Sequence, residues 1–162
     1  TALGCKQVNC LAGIAPKGAS PDALRKTFVE NLRFAAGKLK TAGIKFLIEP
    51  INTFDIPGFY LSHTAQALAI MSEVGSDNLF LQYDIYHMQR MEGELTATME
   101  KNLSRIGHIQ LADNPGRHEP GTGEINYPFI FNHLDHIGYH GWIGCEYKPA
   151  TTTAAGLGWV AT

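Results

Sequence analysis

Five short apolar runs recur along this chain, and a helical pattern follows each of them. The runs are Gln7–Gly13, Lys45–Asn52, Asn78–Ile85, His108–Asp113 and Trp142–Lys148. Each has the length of a strand, is rich in Val, Ile, Leu, Phe or Tyr, and is bounded by turn or polar residues. Between the first two, Ser20-Pro21 reads as an N-cap followed by proline at the first helical position. Leu24, Phe28, Leu32, Ala35, Ala36 and Leu39 then recur at helical spacing, and Gly43 stands where a C-cap glycine belongs. Thr64–Val74 repeats the pattern and ends at Gly75, while Leu95–Ile106, Tyr127–Ile137 and Thr153–Val160 are weaker helical stretches. The resulting order, β-α five times over, is the pattern of a parallel α/β fold.

The spacing narrows that class. One strand–helix unit averages about 32 residues, close to one eighth of a typical (β/α)₈ barrel. An open doubly wound sheet of this length would usually carry a Gly-rich phosphate loop after a strand, and the sequence has none. The expectation is therefore an α/β TIM barrel of which residues 1–162 cover roughly the last five units, strands 4–8, as one domain. A whole barrel needs about 250 residues, so three units, roughly 90 residues, are expected to be missing. Thr1-Ala2-Leu3-Gly4 leads almost at once into an apolar segment without an initiator Met, and reads as a cut.

Composition sets limits on function. The formal charge is −2 and apolar residues make up 44% of the chain. This balance offers no basic footprint for nucleic acid or an anionic membrane. No apolar run is long enough to span a bilayer, and no signal peptide is visible. Cys5, Cys10 and Cys145 lack both a disulfide framework and zinc spacing, which fits free thiols in a reducing, cytoplasmic setting.

In α/β folds chemistry collects at the C-terminal ends of the strands. Each of the last four strands has an oxygen-bearing side chain there: Glu49, Asp84, Gln110 and Glu146. Side chains alternate along a strand, so Glu49 shares a face with Leu47 and Ile51, and Glu146 with Trp142 and Gly144. Asp113 falls on the face opposite Gln110 and ranks below it as a ligand. Carboxylates gathered at strand ends repel one another unless a cation lies between them. Oxygen ligands suit Mg²⁺ or Mn²⁺ better than Zn²⁺.

Those residues lie within longer motifs. Leu47-Ile48-Glu49-Pro50-Ile51-Asn52, Gln82-Tyr83-Asp84-Ile85-Tyr86-His87-Met88-Gln89 and Gly107-His108-Ile109-Gln110 resemble the hydroxypyruvate isomerase family, within the xylose-isomerase-like barrels. So do Pro120-Gly121-Thr122-Gly123-Glu124-Ile125-Asn126-Tyr127 and Gly144-Cys145-Glu146-Tyr147-Lys148-Pro149. The resemblance implies an intramolecular oxidoreductase that interconverts hydroxypyruvate and 2-hydroxy-3-oxopropanoate, placing the chain in glyoxylate and carbohydrate metabolism. It implies Glu49 and Glu146 as the acid/base pair, Glu49, Asp84, Gln110 and Glu146 as ligands of a divalent Mg²⁺ or Mn²⁺, and His87 as a substrate-binding histidine. Gln110 departs from related ketose epimerases, which have His there.

The chemistry needs a proton taken from C3 of a three-carbon 2-oxo acid and one returned at C2 through an enediolate. The substrate carboxylate needs a cation, and Arg117 and Lys148 are the candidates. The loop from Asp113 to Tyr127 is long enough for a lid, with Glu124 expected to order it, and Phe54–Tyr60 forms a second loop over the same end. His108 reads as structural. Rival readings are a 2-oxo-tetronate isomerase or ketose 3-epimerase; a DNA-repair endonuclease, disfavoured by the acidic balance and missing His ligands; and a non-catalytic truncated barrel that covers its strand edges with a partner or a second copy.

Overall fold

The computed structural model describes residues 2–161. Its strands are β1 (Gln7–Cys10), β2 (Lys45–Ile48), β3 (Leu79–Asp84), β4 (Ile106–Leu111) and β5 (Ile143–Cys145). Its helices are α1 (Pro21–Thr41), α2 (Thr64–Val74), α3 (Ile85–Met91), α4 (Leu95–Lys101) and α5 (Tyr127–His136), with 3₁₀ turns at Leu103–Arg105 and Ala155–Ala161. The strands pair in sequence order, β1-β2-β3-β4-β5, and every pair is parallel. They form a half-barrel, the part of a (β/α) barrel that the repeat length predicts. No helix among the described residues is long and apolar enough to cross a membrane.

The local signals act as expected at α1 and α2. Ser20 Oγ accepts the Ala23 N–H at 3.2 Å, Pro21 follows it, and Phe28, Val29, Leu32 and Ala36 form the buried stripe. α2 ends at Gly75, whose φ of 70° is left-handed and whose N–H bonds Met71 O. Phe46, Ile48, Leu81, Tyr83, Ile109 and Leu111 turn one face of the sheet toward the helices, where Leu32, Ile70, Met88, Ile130 and Leu134 meet them in one buried cluster. Burying each such side chain contributes roughly 1.5–3 kcal/mol.

Three differences from the expected pattern affect the site. First, α3 begins directly at the end of β3, because Asp84 Oδ1 accepts the His87 N–H at 3.1 Å and caps it. Second, the helix expected over Leu95–Ile106 stops at Lys101, and β4 starts at Ile106 rather than His108. The pairing slips by one residue there: Leu81 faces Ile106, but Gln82 faces His108. Gly107 is the extra residue, and a Cβ on it would lie 2.6 Å from Leu47 Cδ2 and 2.8 Å from Phe80 Cβ. The bulge keeps Ile106 and Ile109 both toward the helices and puts His108 and Gln110 on the inner face. Third, β5 is shorter than expected, so Glu146 lies one residue beyond it, and the last helical stretch is 3₁₀.

Candidate active site

The inner face of the half-barrel carries the polar residues. Asn9 extends from β1, Gln82 and Asp84 from β3, and Gln110 from β4, while Glu49 and Glu146 stand one residue past β2 and β5. Glu49 is 3% exposed and Asp84 is fully buried. Glu49 Oε2 accepts Asn9 Nδ2 at 2.6 Å and Gln82 Nε2 at 2.8 Å. The other Gln82 amide hydrogen goes to Gln110 Oε1, which ties Gln110 into the same chain of side chains. Gln110 also pairs with Asp84 in the β3–β4 ladder, and opposite it Gly144 leaves room: a Cβ there would sit 2.9 Å from His108 Nε2.

Two carboxylate oxygens have no hydrogen-bond partner although they are buried: Glu49 Oε1 and Asp84 Oδ2. Both lie 3.9 Å from His87 Nε2. One ligand atom from each of Glu49, Asp84, His87 and Glu146 falls within 4.8 Å of the others. Orphaned buried oxygens facing one space are what a hard divalent cation would satisfy, so the donor set fits such an ion. Without it the charges are costly. Burial, then the Asp84 and Glu146 charges, push the Glu49 carboxyl up to about 8. Burial raises Asp84 as well. Burial, and next the Arg117 guanidinium, holds the His87 imidazole down to about 4.

Arg117 joins this group from the loop after β4. Its Nη2 donates to Glu146 Oε2 at 2.9 Å and lies 3.4 Å from His87 Nε2, and its guanidinium stacks 5.1 Å from the Tyr86 ring centre. Asp113 holds that loop in shape. Its Oδ1 accepts the N–H groups of Asn114 and Ile125, and its Oδ2 those of Gly121 and Gly123. A Cβ on Gly123 would lie 2.0 Å from Asn114 O, so the wrap closes only around glycine. Arg117 itself has a φ of 55°, a left-handed conformation that costs a residue with a side chain roughly 1–2 kcal/mol. Such strain persists where surrounding contacts impose it; here Lys148 N donates to Arg117 O at 2.8 Å.

The structure thus brings Glu49, Asp84, His87, Glu146 and Arg117 together and puts Gln110 beside them through Gln82. Lys148 is exposed and reaches this region through its main chain, whose carbonyl oxygen also accepts from His118 Nδ1 at 2.6 Å. Glu124 orders the loop, accepting Asn114 Nδ2 at 2.5 Å. Asn9, Gln82 and Asn52 escaped the sequence reading. Strict alternation back from Asp84 would have found Gln82. Asn9 had no acidic neighbour to mark it. Asn52, three residues after Glu49, shows only in three dimensions that it meets His87.

The whole chain, residues 1–162, matches the family model described as xylose isomerase-like TIM barrel. Over 159 residues it is 59% identical to a hydroxypyruvate isomerase of Escherichia coli, covering 98% of this chain and 62% of that protein. It is 46% identical to a 2-oxo-tetronate isomerase of Cupriavidus necator, covering 98% of this chain and 61% of that one. A Brucella melitensis crystal structure described as an AP endonuclease of family 2 superposes with a TM-score of 0.95 at 43% identity, over 99% of this chain and 62% of that one. The chain therefore spans about three fifths of the length of the relatives it matches.

Proposed function

The chain belongs to the xylose isomerase-like TIM barrel family, and on that premise we propose that it carries the acid/base half of a hydroxypyruvate isomerase. Its five strands correspond in this reading to strands 4–8 of the barrel, with residues 1–162 as the C-terminal part of a single domain. The observation that carries the proposal is the convergence of Glu49, Asp84, His87 and Glu146 at the strand ends.

Glu49, Asp84, Gln110 and Glu146 would hold a divalent cation, Mg²⁺ or Mn²⁺ by the hardness of their oxygens. What such an ion supplies when bound is positive charge beside the substrate oxygens. The residues of the chain do the rest. One of Glu49 and Glu146 removes the C3 proton of hydroxypyruvate to give an enediolate; the O3 hydroxyl proton passes to O2 and the other glutamate returns a proton at C2, leaving an aldehyde at C3 and a hydroxyl at C2. They come from β2 and β5, three strands apart, and so address the substrate from different sides. Arg117 binds the substrate carboxylate and His87 a substrate oxygen, with Lys148 as a further cation at the rim. The burial that raises Glu49 lets it hold or release a proton near neutral pH. The partner is a small 2-oxo or hydroxy acid rather than nucleic acid, and the unpaired cysteines agree with a cytoplasmic setting.

The test is turnover of hydroxypyruvate, a 2-oxo-tetronate and a ketose by the intact protein with added Mg²⁺ or Mn²⁺. Hydroxypyruvate should be preferred, and Glu49→Gln and Glu146→Gln should each abolish turnover while the fold persists. Near-normal activity in either variant refutes the acid/base assignment. Preference for the four-carbon acid would instead favour the second reading, a 2-oxo-tetronate isomerase, to which the 46% identity points.

A further inference from the structure

Asn52 is fully buried between the end of β2 and α3, and its amide orientation is dictated by groups other than His87. Its Oδ1 accepts the backbone N–H of Phe54 at 3.1 Å and of Asp55 at 2.8 Å. Its Nδ2 donates to Asp55 Oδ2 at 3.0 Å. Turning the amide over would set its oxygen against the Asp55 carboxylate and its NH₂ against two backbone donors. Asp55 is itself fixed, by the Tyr86 hydroxyl at 2.8 Å and by the Arg90 guanidinium.

One amide hydrogen of Asn52 is left, and it faces His87 Nδ1 with the nitrogens 2.6 Å apart. The Asn52 backbone N–H approaches the same ring nitrogen at 3.5 Å. Both groups are donors. The Arg117 guanidinium, also a donor, approaches Nε2, but at 3.4 Å against the 2.6 Å of the Asn52 contact, so the closer pair decides: Nδ1 accepts, and the single proton of the neutral ring belongs on Nε2. We propose that Asn52 is a positioning residue that locks His87 in the Nε2–H tautomer, making His87 a hydrogen-bond donor into the site and not a ligand of the cation. A histidine that binds metal usually presents its other ring N–H to an acceptor, and here it meets donors instead. The proton on Nε2 points toward the space shared by Glu49 Oε1 and Asp84 Oδ2, the two oxygens without partners.

That the donor meets a substrate oxygen rests on the isomerase reading; the tautomer does not, and the experiment separates them. Nitrogen-15 NMR of the histidine rings in the intact protein, with His87→Gln for assignment, reports which nitrogen carries the proton. Nε2–H is expected and should remain when Mg²⁺ is added to saturation. Protonation at Nδ1, or loss of the Nε2 proton on adding Mg²⁺, overturns the proposal. Asn52→Asp should move the proton to Nδ1. Asn52→Asp/Asp55→Asn, which exchanges donor and acceptor between the two positions, should do so with less disturbance of the loop. An unchanged tautomer in a folded double variant also overturns the proposal. With hydroxypyruvate, these variants should lose about 10–100-fold in turnover, the usual effect of rewiring a partner of a site residue. If neither parent nor variants turn over any of these acids while the tautomer behaves as stated, the isomerase reading fails and the lock stands.

Discussion

Replacing Glu49 with Gln should stabilise the metal-free protein above neutral pH. Burial and the neighbouring charges of Asp84 and Glu146 move the Glu49 carboxyl from its ordinary 4.5 to about 8. Between those values the folded chain keeps a proton that the unfolded chain has released. The stability tied to this group is therefore complete below about 4.5 and is lost as the pH rises through about 8. At about 1.4 kcal/mol per pH unit, that interval sets a ceiling of roughly 5 kcal/mol. Side-chain relaxation and water entry lower such penalties, so about 2–3 kcal/mol is expected. Glutamine preserves the geometry, because Asn9 and Gln82 donate to the same oxygen, Oε2, and an amide oxygen can take both. Urea unfolding of parent and variant with a chelator at about pH 5, 7 and 9 measures the difference. The two should lie nearest each other at the lowest pH and diverge in favour of the variant toward the highest. With saturating Mg²⁺ the order should reverse, since only the parent keeps the full set of oxygens. A difference that does not vary with pH, or a parent that gains on the variant as the pH rises without metal, would refute the reasoning.

Mg²⁺ or Mn²⁺ at about a hundredfold over its Kd should stabilise the parent by roughly 2.7 kcal/mol, and Asp84→Asn should remove most of that gain. Thermal melts with and without the ion check this, and no shift in the parent speaks against the metal site. Asp113→Ala strips four backbone N–H groups of their acceptor. It should cost about 2–4 kcal/mol, speed hydrogen exchange at Gly121, Gly123 and Ile125, and raise KM as Arg117 loses its seat. Unchanged exchange there would show that the loop holds its shape some other way. Gly107→Val forces a side chain against Leu47 and Phe80 and should cost about 1–3 kcal/mol, read as a lower urea midpoint. A neutral result would mean the bulge at β4 has room that its contacts deny.

The sequence by itself determined the architecture and the positions of most of the chemistry. Five apolar runs with helices between them can bury their surfaces only as a parallel α/β layer, and Glu49, Asp84 and Glu146 lie toward the C-terminal ends of three of those runs. Both signals are local, because alternation and periodicity act within a few residues. What needed the tertiary structure depends on contacts between distant segments. Gly107, which falls between a helical stretch and an apolar run in the sequence, is a bulge, where Phe80 of the adjacent β3 and Leu47 of β2 leave no room for a side chain. α3 was invisible because its cap is Asp84, already read as the end of a strand. Asp113 turns from a weak ligand candidate into the acceptor at the centre of its loop. Asn52 gained its meaning from His87, 35 residues later in the chain. Spacing along a strand says which face a side chain takes; which atom of it is left without a partner is decided by what folds against it.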